Sequence, residues 1–202
     1  MKRILTLIIS VAMLISAFAI TAFATQKTHT VVKGDSMWKI AVKYQVGLSE
    51  LTSANAHIKN PALIYPGQKI SIPSIESSVT EYEAEVVRLV NKERTARGLS
   101  ALKQNWELSR VARYKSQDMK DKKYFSHTSP TYGTPFQMMK SFGISYRTAG
   151  ENIAKGYSTP VAVVEGWMNS SGHRANILNS SFTEIGVGYV REGNYCTQMF
   201  IG

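Results

Sequence analysis

A single cysteine, Cys196, stands in 202 residues, so no internal disulfide can form. A chain of this size without bridges, if exported, fits a bacterial rather than a eukaryotic secretory route. The thiol lies in a strand-like stretch with no histidine readable as its partner, and it reads as a small buried hydrophobe rather than a nucleophile. Several chemistry-bearing patterns are missing: there is no G-x-S-x-G elbow, H-E-x-x-H pair, phosphate-binding P-loop or dinucleotide glycine fingerprint. No low-complexity tract or long internal repeat occurs. The formal charge is +10, yet no basic patch with interleaved aromatics is present, which argues against nucleic acid as a partner.

What the sequence does have begins at its first residues. Lys2 and Arg3 precede an apolar run from Ile4 to about Ile20, followed by Ala22-Phe23-Ala24. A basic start, an apolar middle and an A-x-A-like site describe a secretory signal, residues 1–24, with cleavage after Ala24. The competing reading is a retained anchor, because 17 to 20 apolar residues just span a bilayer. Cleavage is favoured, leaving no stable membrane span. Subtracting Lys2 and Arg3 from +10 leaves +8, divided as +4 on residues 25–73 and +4 on residues 74–202. Charge spread in this way suits general attraction to a polyanion, and for an exported chain the anionic polymers of the wall are the obvious one.

A boundary falls at Pro73, and residues 74–80 read as a polar linker. Before it, Thr28-His29-Thr30-Val31-Val32 alternates as a strand and stops at Lys33-Gly34-Asp35. A helix follows with Met37/Trp38, Ile40/Ala41 and Tyr44 as its expected apolar face, then a short helix from Ser49 and a closing strand Lys69 to Pro73. Beyond the linker, Thr80-x-x-Glu83 reads as a capping box for a helix carrying Tyr82, Val86, Leu89 and Val90. Further helices are expected over about Asn105–Lys120, Phe136–Phe142 and Val161–Met168, the last two opened by Thr-Pro pairs. Glu184–Val190, a Glu192-Gly193-Asn194 turn and Tyr195–Ile201 make a hairpin. Helices first and hairpin last predict an α+β layered domain. Trp38, Trp106 and Trp167 are expected in cores, and His29 and His57 on the surface.

Three separated residues carry candidate chemistry. His127 sits in an irregular segment, Tyr124 to Pro130; His173 follows Gly172; and Glu151 is a carboxylate among small and apolar neighbours. Two imidazoles and a carboxylate can bind a divalent ion or move protons. The same residues can equally be hydrogen-bonders that fix loops, and spacing alone favours that alternative.

Two resemblances extend this reading. Thr30-Val31-Val32-Lys33-Gly34-Asp35-Ser36-Met37-Trp38-Lys39-Ile40-Ala41 and Ile64-Tyr65-Pro66-Gly67-Gln68-Lys69-Ile70-Ser71-Ile72-Pro73 resemble the two ends of a LysM module over residues 28–73. The resemblance implies a βααβ fold that binds N-acetylglucosamine polymers, chiefly peptidoglycan. It places the glycan groove on Gly34, Asp35, Ser36 and Met37 and on Asn60, Pro61, Leu63 and Ile64. Residues 81–202 resemble the CAP superfamily in its bacterial SCP-like branch, through Ser126-His127-Thr128-Ser129-Pro130, Gly150-Glu151-Asn152-Ile153-Ala154, Gly166-Trp167-Met168-Asn169-Ser170-Ser171-Gly172-His173-Arg174 and Ile185-Gly186-Val187-Gly188-Tyr189. That implies an α-β-α sandwich whose cleft holds two histidines and two acids. His127, Glu151 and His173 match three of these positions, with His127 and His173 as implied zinc ligands. Ser170 stands where the second acid is expected, Glu165 is its possible substitute, and Cys196 stands where relatives often show tryptophan.

The expectation is a secreted, wall-associated protein that binds glycan through LysM and presents a CAP cleft, with divalent-metal binding there. Turnover is left open and the non-catalytic reading favoured; an enzyme would be a hydrolase of wall peptide or glycan. A structural protein of a spore coat or cortex is the third possibility.

Overall fold

The computed structural model describes residues 27–202; the signal expected at residues 1–24 lies outside them. β1 (Thr28–Thr30) and β2 (Lys69–Ser71) pair antiparallel, and α1 (Met37–Tyr44) and α2 (Leu48–Ser53) pack against them. Ser36 caps α1 by accepting from the Lys39 amide, and Val31, Met37, Ile40, Leu51, Ile70 and Ile72 fill the core. Two expectations fail here. Trp38 is 62% exposed, because the buried stripe of α1 is Met37, Ile40 and Ala41, and a residue one position beyond Met37 turns outward. His29 is buried rather than superficial: its imidazole meets the Asp35 carboxylate at 2.8 Å and the Tyr44 hydroxyl at 3.0 Å, which satisfies both ring nitrogens.

α3 spans Ser77–Thr95, so the helix begins inside the stretch read as a linker; the Thr80 hydroxyl donates back to the Ser77 carbonyl instead of capping. β3 (Lys103–Gln104) leads into α4 (Trp106–Asp121), capped by Asn105, then α5 (Pro135–Ser141), β4 (Ala149–Lys155), α6 (Pro160–Asn169), α7 (Ser171–Ile177), β5 (Glu184–Val190) and β6 (Tyr195–Ile201). The sheet order is β3-β5-β6-β4, with β3 parallel to β5 and the other pairs antiparallel.

Strand alternation sorts the side chains into two layers. Ile185, Val187, Tyr189, Cys196 and Phe200 meet α3 and α6 on one face, where Val86, Val90, Val163 and Trp167 lie. Met199 and Ile201 meet α4 and α5 on the other, where Leu108, Val111, Met138 and Met139 lie. This is the expected α-β-α sandwich. Gly186 and Gly188 let α4 rest directly on β5, since a Cβ at either would collide with the backbone of α4. Trp167 is buried as expected, its indole N–H donating to the Ile153 carbonyl at 3.2 Å. Trp106 is only half-buried at the start of α4, outside every core cluster, because the stripe of that helix begins at Leu108. Burial raises the pKa of the Cys196 thiol well above its ordinary value, as suits an inert core group.

The two modules touch through one polar clamp. Arg110 of α4 donates to both Glu50 carboxylate oxygens at 2.5 and 2.9 Å and to the Ser49 hydroxyl at 2.8 Å. Its guanidinium also lies over the Tyr114 and Phe142 rings. Beside the clamp opens a cavity of about 530 Å³, with Val46, Ile75 and Tyr114 among its walls.

Candidate functional site

The segment between α4 and α5 hangs from two charged residues of α4. Asp118 accepts from the hydroxyls of Tyr124 (2.6 Å), Ser129 (2.7 Å) and Thr131 (2.5 Å). The Ser129 hydroxyl oxygen in turn accepts from the Thr131 and Tyr132 amides. Burial works against the Asp118 charge, but these hydroxyl donors and Lys122 lower its pKa. Lys115, with no exposed surface, donates to the carbonyls of Ser126 (2.7 Å) and His127 (2.8 Å) and to the Tyr124 hydroxyl (3.2 Å).

That suspension brings His127 to β4. Its Nδ1 meets Glu151 Oε1 at 2.7 Å, with the imidazole side chain 51% exposed and the carboxylate side chain 1% exposed. Burial raises the pKa of the Glu151 carboxyl, against the opposing pull of the His127 bond and the Lys115 charge. Its second oxygen, Oε2, is buried with no partner. His173 is half-buried on α7, and burial, then the charge of His127, lowers its pKa. The three candidates therefore share one electrostatic neighbourhood. Such a cluster can hold a proton between carboxylate and imidazole.

Neither position weighed for the second acid is buried with the His127–Glu151 pair. Ser170 sits in extended backbone between α6 and α7, and Glu165 is exposed on α6, facing away from the buried Val163, Val164 and Trp167 stripe. Among the described residues, no three His, Cys, Asp or Glu side chains converge as cation ligands. Glu151 bonds Nδ1 of His127 and leaves Nε2 free, the arrangement by which a carboxylate orients a metal-binding imidazole.

In the small module the groove loops are open, with two qualifications. Met37 points into the core and does not offer the apolar contact expected of it, whereas Leu63 is 52% exposed. Asp35 is engaged by His29 and by the Val32 amide, and Ser36 by its cap. Gly34 takes φ +93°, and Asn60 bonds the Ala62 amide, which shapes the second loop. Ile64 is half-buried against the core, and Pro61 is half-buried as well.

Sequence reasoning missed Lys115, Asp118 and Asn176 as site-shaping residues. A signal existed for Lys115: with Leu108, Val111, Ala112 and Met119 it shares the buried stripe of α4, so an ion at that spacing must meet acceptors inside.

A chain built this way is a two-module protein, a small βααβ fold beside a three-layer α-β-α sandwich. Residues 87–201 match the Cysteine-rich secretory protein family (CAP) and residues 29–73 match the LysM domain; the chain belongs to the CAP family and carries a LysM domain ahead of its CAP domain. It is 65% identical over 129 residues to Uncharacterized protein YkwD of Bacillus subtilis, covering 64% of this chain and 50% of that one. Its LysM part is 54% identical over 48 residues to SpoIVD-associated factor A of the same organism, 24% of this chain and 12% of that one. The fold superposes on an extracellular protein containing a SCP domain from Bacillus anthracis with a TM-score of 0.59 and 38% identity, over 67% of this chain and 47% of that one. The chain thus spans half or less of the length of these relatives. Among the described residues no helix is long and apolar enough to cross a membrane.

Proposed function

We propose that this is a secreted, wall-associated protein that holds N-acetylglucosamine-containing glycan, chiefly peptidoglycan, on the loops at Gly34–Met37 and Asn60–Ile64. The observation that carries the reading is the separation of tasks within the LysM module: Glu50 and its neighbours dock on α4, while the two groove loops stay open to solvent. Backbone amides and carbonyls of those loops suit an acetamido group, and Leu63 suits the sugar face. Titrating the full chain with N-acetylglucosamine oligomers tests this. Leu63→Asp is expected to weaken binding at least about tenfold, the equivalent of losing one buried apolar contact; unchanged affinity rejects the groove.

The CAP domain would then act as a ligand-binding module held at the wall, in which His127 and His173 would hold a divalent ion such as zinc and Glu151 would orient the His127 ring. Two imidazoles fit a weakly held ion, and when bound it would supply Lewis acidity. Calorimetry with zinc checks it: His127→Ala should abolish any heat seen with the wild type, and a wild type without heat ends the metal reading. A hydrolase is the second reading, favoured by the buried carboxyl beside an imidazole. Purified sacculi digested by wild type and by Glu151→Gln decide it, since identical products remove this site from catalysis. A role in a spore layer is supported by the LysM likeness to SpoIVD-associated factor A; localising a fluorescent fusion through growth and sporulation tests it.

A further inference from the structure

All three residues of the cleft are held in the same way, by a side-chain donor on the residue's own main-chain carbonyl. The His127 carbonyl accepts from Lys115 Nζ at 2.8 Å. The Glu151 carbonyl accepts from Asn176 Nδ2 at 3.2 Å, and the His173 carbonyl from Asn152 Nδ2 at 3.1 Å. We propose that Lys115, Asn152 and Asn176 form a positioning frame that fixes the geometry of His127, Glu151 and His173 before any ligand arrives. The inference rests on taking those three as the site, and it concerns how they are placed rather than what they bind.

Each donor answers a backbone need. The His127 loop has no ladder to satisfy its carbonyls, and Ser126 and His127 both turn theirs inward, where an unpaired group is costly. An ammonium with three donors reaches both and the Tyr124 hydroxyl as well. A shorter polar residue on α4 could not span that gap, and an apolar one would leave two carbonyls orphaned. The same cation lies near Glu151, so one residue holds the loop and offsets the charge His127 must face.

On the other face of the strand the fastening is reciprocal. β4 is an edge strand, and the Glu151 carbonyl is bonded by a side chain of α7. α7 supplies Asn176 to β4, and β4 supplies Asn152 to α7, with Asn176 Nδ2 also bonding Asn152 Oδ1 at 2.9 Å. Asn152 further donates to Gln198 Oε1 at 3.0 Å, which ties the pair to β6. Because Glu151 and Asn152 are consecutive and face opposite sides of the sheet, one short piece of strand fixes both histidines relative to each other.

The test reads ring geometry and needs no ligand. Long-range 1H–15N spectra of the full chain, at one neutral pH, report the His127 and His173 rings and the exchange of the His127 Nδ1 proton. In Lys115→Met that proton should exchange about tenfold faster than in wild type, the scale of one lost hydrogen bond. Lys115→Arg should restore most of the protection, while His173 signals barely move. Asn152→Ala, which removes the donor on the His173 carbonyl, should give the converse pattern, shifting His173 more than His127. A folded Lys115→Met with wild-type His127 exchange overturns the frame, as does a variant that disturbs both rings equally. Should Lys115→Met fail to fold, Asn152→Ala decides alone, and unmoved His173 signals overturn it. Loss of glycan or zinc binding with the frame signals intact would count against the proposed function and leave the frame standing.

Discussion

Arg113 and Glu83 show what one buried ion asks of its neighbours. Glu83 lies on the buried stripe of α3, accepts from two guanidinium nitrogens of Arg113, and accepts the Tyr189 amide at 3.0 Å. Burial raises its pKa even so, with Arg113 pulling the other way. Arg113→Met leaves that carboxylate with a single amide donor, and removal of one member of such a pair costs about 3–5 kcal/mol. Urea unfolding of the variant should show a loss of that size with an unchanged slope; a loss below about 1 kcal/mol, the range of exposed pairs, means that Glu83 finds water instead. Glu83 was visible in the sequence only as the last residue of an apparent capping box. Its position beside Tyr82 and before Val86, inside the apolar period, is what should have marked it as an interior charge, as the same logic marks Lys115 on α4.

At the scale of elements, periodicity served well and edges served poorly. The hairpin of β5 and β6 and the helices opened by Thr134-Pro135 and Thr159-Pro160 stand where their turn and cap residues put them. β3, β4 and α7 were not legible as elements. β3 has two residues, too few for any period, and α7 is a single polar stretch that starts where α6 stops. β4 is buried on both faces around Glu151 and Asn152, so polar residues sit where alternation would demand apolar ones, and only the hydrogen bonds they accept and donate explain them. The Gly186-x-Gly188 spacing, by contrast, was present in the sequence as a motif without a reason, and the approach of α4 supplies the reason. Gly188→Ala pushes a methyl into the backbone of Ala112 and Arg113. Helix and strand must separate, at a cost of about 3 kcal/mol, the upper end for an overpacked core. The same substitution at Gly172, where a Cβ meets nothing, should be close to neutral in thermal melts, and equal losses at the two sites would refute the packing explanation.

For the molecule as a whole, the docking of the two modules is the feature sequence could not reveal, because Glu50 and Arg110 are 60 positions apart and neither belongs to a motif. Burial works against the Glu50 charge, but the Arg110 and Ser49 bonds prevail and hold its pKa at about 2, against an ordinary 4.5. A carboxyl with a depressed pKa contributes its full share above its ordinary value and loses it as the pH falls through the depressed one. The clamp should therefore hold at neutral pH and weaken between about pH 4.5 and 2. Arg110→Ala should release the module at neutral pH. Backbone 15N relaxation reads this directly: wild type should tumble as one body, and Arg110→Ala as two with shorter, unequal correlation times. Identical relaxation in both would assign the docking to the apolar walls beside the clamp.

The guanidinium on Glu50 also has a consequence for how far the protein can act. A sandwich on a slack tether would sweep a sphere of wall around its anchorage, sampling many orientations. With the joint locked, a small module bound to glycan as proposed would dictate the direction in which the His127–Glu151 pair points, and the periodic rotation of the sugar chain would decide which neighbours it meets.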